Sequence, residues 1–275
     1  WSSDVCSSDL YRLDACALSA SVDEPTLGQA IHFRASVTNA GTLNGTSPLV
    51  VRFLLDGAPV GPDVTTSGAL AAGASELVQS AVTWTVDFAP HLLEVVLDPD
   101  GLEAEGSEVN NVAARVLPYE LSPVPIASCP GSGASMFSTC SPCVNDPVTI
   151  LGYVINTGLF SVPTGQTVDV AFEDGFGGSS LTLGSATVTN LRSRGECPPA
   201  SLDFASIQTQ FAQVGSHPIT FRVDPDDDWP EYAETNNSLT RGLSVSSCIP
   251  LSDLYLRSEH INPEDLNPAP GETLD

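Results

Sequence analysis

Residues 98–111 read Asp-Pro-Asp-Gly-Leu-Glu-Ala-Glu-Gly-Ser-Glu-Val-Asn-Asn, and residues 224–237 read Asp-Pro-Asp-Asp-Asp-Trp-Pro-Glu-Tyr-Ala-Glu-Thr-Asn-Asn. The offset is 126 without a gap. Seven of the fourteen positions agree: Asp98/Asp224, Pro99/Pro225, Asp100/Asp226, Glu105/Glu231, Glu108/Glu234, Asn110/Asn236 and Asn111/Asn237. A chain that matches itself at such a distance is built of repeated units. Upstream, Val37-Thr-Asn-Ala-Gly41 matches Val154-Ile-Asn-Thr-Gly158 at an offset of 117, so the second copy carries nine extra residues, placed near 191–200. A third copy begins near Leu251, where Asn262-Pro-Glu264 echoes Asp23-Glu-Pro25, and it stops before a core can form. The expected units are therefore 11–118, 122–248 and a truncated start at 251–275. Trp1–Leu10 resembles a translated sequencing adapter and is set aside, so the remainder reads as a fragment of a longer chain.

Each copy alternates with period two, the mark of half-buried strands. Ile31, Phe33, Ala35 and Val37 share one face, as do Val148, Ile150, Gly152 and Val154 in the second copy. Val168, Val170 and Phe172 form a further face, and so do Val78, Val82, Trp84 and Val86. Leu93, Val95 and Leu97 correspond to Ile219, Phe221 and Val223. Turns rich in Gly and Pro separate these runs, and none shows sustained helical spacing. The expected fold is all-β: tandem immunoglobulin- or fibronectin-like sandwiches of about seven strands each.

The order of the short motifs resembles the CARDB family, the cell-adhesion-related domain of bacteria. They are Glu24-Pro25, Val37–Gly41, Leu55-Asp-Gly57, Leu70–Ser75 and Asp98–Asn111. The resemblance covers residues 12–117 well and 122–247 less well, since Leu-Asp-Gly becomes Phe172-Glu-Asp-Gly175 and no Ala-Ala-Gly motif follows. It implies tandem sandwich modules on secreted or surface proteins, with no catalytic residues.

The acidic segments carry the candidate ligands. These are Asp224, Asp226, Asp228, Glu231 and Glu234 and, ranked after them, Asp98, Asp100, Glu105 and Glu108. Clustered carboxylates suit Ca²⁺, which takes roughly six to eight oxygens in flexible geometry. The spacing is not that of an EF-hand. The competing reading is a turn, because Asp-Pro-Asp opens one and short polar side chains bond their own backbone.

Six cysteines lie beyond Trp1–Leu10: Cys16, Cys129, Cys140, Cys143, Cys197 and Cys248. An even count in a surface-type sandwich reads as disulfides of an oxidising compartment. Cys197 is expected to tie the insertion to the Cys129–Cys143 segment. A partner upstream of the sequence is open to Cys16, and the connectivity as a whole stays open. Cys140-x-x-Cys143 lacks the second ligand pair of a zinc site. His91 and His217 occupy one position in the two copies, which argues for packing or a rim hydrogen bond. No nucleophile elbow and no zincin helix is encoded.

The 275 residues hold 9 Lys plus Arg, all of them Arg, against 34 Asp plus Glu, for a net charge of −25. So acidic a surface excludes nucleic-acid binding through clustered cations and is expected to keep the modules soluble and apart. No apolar run is long enough for a transmembrane helix. The expected function is a non-catalytic extracellular or cell-surface module of a bacterium, a spacer or display array, with Ca²⁺ as the candidate cofactor. Its partners would be neighbouring repeats and a surface protein or polysaccharide. Two other readings stand beside it: accessory repeats of a larger secreted protease or glycosidase, and a carbohydrate-binding module using Trp229 and Tyr232.

Overall fold

Phe33–Asn39 buries every second residue, and that alternation makes it the centre of a sheet. Tyr11–Arg12 and Leu18–Ala20 pair along one side of it, and Ser75–Gln79 pairs along the other. The facing sheet runs Val112–Leu117, His91–Leu97, Val50–Leu55, with Ala58–Pro59 and Val64–Thr65 both against the last of these. The second half of the chain repeats this plan in a cleaner form. Leu121–Pro123, Pro147–Asn156 and Leu202–Gln210 make a three-stranded antiparallel sheet. Leu181–Val188, Val168–Asp174, Gly215–Val223 and Ser238–Val245 make its four-stranded partner. This computed structural model describes residues 11–103, 105, 110–130, 134–193, 197 and 202–248. The readings placed on Trp1–Leu10, Glu108 and 251–275 lie outside them. Helix is limited to three short 3-10 segments among the described residues. The chain is an all-β protein.

The inward faces are those that alternation assigns. Ile31, Phe33, Ala35, Val37, Leu93, Val95 and Leu97 are buried, as are Val148, Ile150, Val154, Val168, Val170, Phe172, Ile219, Phe221 and Val223. Gly152 belongs to this set for a steric reason: a Cβ there would lie 2.5 Å from the Phe221 ring. One face departs from expectation. Val82 is 42% exposed, because the strand breaks after Gln79 and resumes only at Trp84–Thr85. The change from Leu-Asp-Gly to Phe172-Glu-Asp-Gly175 leaves the sheet intact, and the register against Leu181–Val188 shifts between Phe172 and Glu173.

Charge does not hold the two sandwiches apart. Leu159 and Phe160 of the second donate their N–H groups to Val116 and Pro118 carbonyls at 2.9 and 3.0 Å. Ser161 donates to the Asp23 carbonyl at 2.8 Å. Glu24 accepts from the Thr164 N–H at 2.9 Å and hydroxyl at 2.8 Å, and pairs with Arg192 at 3.0 Å. The Arg115 guanidinium donates to the Thr157 carbonyl at 2.6 Å. Tyr119, buried at the junction, stacks on Phe88 and meets Trp229 edge-on. Apolar contact and satisfied polar groups here outweigh a repulsion that is spread over the surface and screened by salt.

Candidate functional site

The acidic segments are latches, built alike in the two sandwiches. Asp98 has φ +42° and Asp224 has φ +46°, the left-handed backbone that Asp tolerates better than most side chains. In that pose each carboxylate turns back on its own loop. Asp98 accepts from the Leu102 and Glu103 N–H groups at 3.0 and 2.8 Å. Asp224 accepts from those of Asp228 and Trp229 at 3.1 and 2.9 Å. The following glutamate reaches across to the first strand of its own sandwich. Glu105 takes the Tyr11 N–H at 2.9 Å and the Asn111 amide at 3.2 Å. Glu231 takes the Leu121 N–H at 2.5 Å and the Asn237 amide at 3.0 Å. The repeated Asp, Glu and second Asn therefore fasten a loop to the strand at which the sandwich begins.

Of the candidate calcium ligands, the structure brings Asp224, Glu231 and Glu234 within electrostatic reach of one another. Asp226 and Asp228 are exposed on the outer turn. Asp98 is buried, whereas Asp100 is exposed and lies 3.9 Å from Arg52. Among the described residues, no group of three or more His, Cys, Asp or Glu side chains is arranged to hold a metal ion. The second latch is electrostatically loaded. Burial, together with the charges of Glu234 and Asp224, pushes Glu231 up to about 8. Burial and neighbouring Asp residues also raise Glu234 and Asp224. Sequence comparison missed two acids that do similar work. Glu103 accepts from the N–H and hydroxyl groups of Thr46 and Ser47, and Glu120 accepts from the Ala233 N–H and the Asn236 amide. Glu103 stands opposite Trp229 in the repeat, so no self-match could reveal it.

The repeated histidines each lean on an aspartate. His91 Nδ1 lies 2.5 Å from Asp56, with Asp87 3.1 Å from Nε2. Burial disfavours its charge, but the two aspartates overcome that and raise its pKa. His217 Nδ1 lies 2.6 Å from Asp174, and its Nε2 faces the Gln213 carbonyl at 3.0 Å. Both nitrogens of each ring thus face acceptors of the protein itself, an arrangement that braces the start of a strand. At the junction, a cleft of about 420 Å³ is lined by Phe88, Tyr119, Trp229, Pro25, Pro163 and Gln166. Trp229 thus has aromatic neighbours, though not the one expected. Tyr232 does not line the cleft and is 45% exposed.

The disulfides correct the expected pairing of Cys197. It bonds Cys16, across the two sandwiches, and Cys143 bonds Cys248. The reason is the interface: Asp14 caps the short turn Ala15–Ala17, and Cys16 of that turn meets Cys197 where the two sandwiches adjoin.

The CARDB family model matches residues 9–115. No curated protein matches the chain. Among solved structures, the chain is similar to the CARDB domain of a Pyrococcus furiosus protein in complex with di-metal ions. They share 17% identity over 40% of this chain and 93% of that one, with a TM-score of 0.34. A domain from a Methanosarcina acetivorans protein assigned to the cell surface is 16% identical over 47% of this chain and 95% of that one, with a TM-score of 0.31. Red sea bream transglutaminase is 13% identical over 83% of this chain and 31% of that one, with a TM-score of 0.32. No helix among the described residues is long and apolar enough to cross a membrane, which says nothing of β-barrels. Residues 9–115, the first sandwich, are a CARDB domain, from a family of non-enzymatic β modules associated with the cell surface.

Proposed function

We propose that the chain is a stiff, non-catalytic spacer of a secreted or cell-surface bacterial protein, holding its neighbours at a set distance and angle. One observation carries this reading: the Cys16–Cys197 bond crosses from one sandwich to the other. A flexible string of modules needs no such staple, whereas a strut gains from every link that removes relative motion. The Glu24 clamp and the Arg115 contact act in the same sense. A surface protein or polysaccharide would then dock on a rigid pair, and the aromatic cleft beside Trp229 is the proposed place.

Small-angle scattering tests the stiffness. The oxidised protein is expected to give a pair-distance distribution of one rigid body. The Cys16→Ser/Cys197→Ser variant carrying Glu24→Ala should give a broader one. A broad distribution for the unaltered oxidised chain would overturn the reading.

Calcium stabilisation is the second reading, favoured by the mutual repulsion of Asp224, Glu231 and Glu234, which a bound cation would relieve. Thermal unfolding in millimolar Ca²⁺ and then in excess EGTA separates the two. A midpoint that rises with Ca²⁺, falls back with EGTA and is indifferent in Asp226→Ala/Asp228→Ala makes the acidic turn a metal site. A midpoint unmoved by Ca²⁺ removes calcium and leaves the latch.

A further inference from the structure

Among the described residues two thiols remain once the disulfides are assigned: Cys129, half-buried, and Cys140, exposed. The backbone brings their segments together. Ala127 bridges Ser135, the Met136 N–H donates to the Ala127 carbonyl at 2.8 Å, and that of Phe137 donates to the Ser128 carbonyl at 3.1 Å. At the end of this pairing the Cys140 thiol comes within interaction range of that of Cys129. Between the two cysteines sit Met136 and Phe137, both fully buried. Phe137 bridges Ile150, and the Leu151 N–H donates to the Met136 carbonyl at 2.8 Å, so these two residues plug the second core beside the central strand Pro147–Asn156.

The other four of these six cysteines are paired, which places the molecule in oxidising surroundings. Two neighbouring thiols do not persist there, because exchange with any disulfide oxidant converts them. We infer that Cys129 and Cys140 close a third disulfide, a covalent clip around the Met136–Phe137 plug of the second sandwich. The oxidant is a disulfide, RSSR, of a small molecule or of a thiol oxidoreductase. The exposed Cys140 thiolate attacks one of its sulfurs and releases RS⁻. The Cys129 thiolate then attacks Sγ of Cys140 in the mixed disulfide and releases the second RS⁻. One S–S bond forms in the protein as one breaks in the oxidant. The two protein thiols are oxidised, and the two RS⁻ take up their protons as RSH.

The single methionine of the chain, Met136, lies between the two cysteines and makes the test direct. The full chain carrying Cys6→Ser, Cys16→Ser and Cys197→Ser is made in an oxidising compartment and cleaved with cyanogen bromide after Met136. Cys143 and Cys248 both fall in the second fragment, so only a bond from Cys129 can join the two pieces. They are expected to run as one band without reductant, as two with it, and as two without reductant once Cys140→Ser is added. Separate fragments in the parent variant would overturn the clip. Since those substitutions remove the staple between sandwiches, the unaltered protein is also alkylated under denaturant without reduction and mapped after peptic digestion. A Cys129–Cys140 linked peptide, with neither residue alkylated, is the expected result. Alkylation of both, or linkage of either to Cys143 or Cys248, refutes the inference.

Discussion

Asn156→Ala is expected to destabilise the second sandwich by about 3–4 kcal/mol and to lower its thermal midpoint by roughly 10–15 °C. The side chain is fully buried and used at both ends. Its amide N–H groups go to the Phe160 and Leu191 carbonyls at 2.8 and 3.3 Å. Its oxygen takes the Gly158 N–H at 3.0 Å and that of Glu120 at 3.3 Å. Alanine leaves those backbone groups in a place water does not reach, and each unpaired buried group costs more than an average hydrogen bond contributes. Leu191 keeps a second donor, Val162, so its carbonyl is the least affected. Asn156→Asp is the informative control, since the neutral acid preserves the acceptor for Gly158 and offers one O–H donor in place of the two N–H groups. Its loss should fall short of that of alanine at a pH where the acid is neutral. Chemical denaturation of the variants measures this, and a loss below about 1 kcal/mol for Asn156→Ala would refute the accounting.

The same prediction shows what was legible in the sequence. Asn39 does in the first sandwich what Asn156 does in the second, bonding the Leu43 and Leu70 carbonyls and the Gly41 N–H. Such an asparagine is readable as a repeated Val-x-Asn-x-Gly because the need is local to each unit. The glycine of the second copy has a reason of its own: a Cβ on Gly158 would lie 2.5 Å from the Tyr119 backbone. Alternation fixed the buried faces for the same local reason. Period two reports which side of a strand faces a core, whatever lies beyond.

The interface left no such trace. Cys16 and Cys197 are 181 residues apart and meet only because one sandwich docks on the other. The internal repeat, which compares units one at a time, pointed Cys197 elsewhere. The acidic segment was half readable. Its composition is equally that of a metal loop and of a turn, and only the direction of the donors shows how Asp98, Asp224, Glu105 and Glu231 are used.

Glu231 supplies the prediction that tests this use most sharply: the second sandwich should weaken as pH rises from about 5 to 8, and Glu231→Gln should remove most of that decline. The carboxyl is only 3% exposed, and burial first, then Glu234 and Asp224, raise it from 4.5 to about 8. The sign follows from proton counting. Between 4.5 and about 8 the folded state keeps a proton that the unfolded state has released, so raising pH favours unfolding. The full difference corresponds to at most about 5 kcal/mol, and sharing of charge with Glu234 and Asp224 reduces what one substitution recovers. The other groups facing Glu231 are the Leu121 N–H and the Asn237 amide, which carry no charge. Raised His91 of the first sandwich contributes a decline of the same sign, and so do raised Glu234 and Asp224 of the second, so a remnant slope in Glu231→Gln belongs to these groups. Glutamine keeps an acceptor for Leu121 and brings a donor. The Asn237 oxygen, buried without a partner, can receive it once that amide turns over. Urea midpoints at fixed ionic strength in EGTA, from pH 5 to 8.5, decide the matter. Glu231→Gln should match or fall below the parent at pH 5 and exceed it at pH 8. Equal destabilisation at both ends would mean that Glu231 works as an ionised acceptor throughout, and that the latch holds its strand by charge.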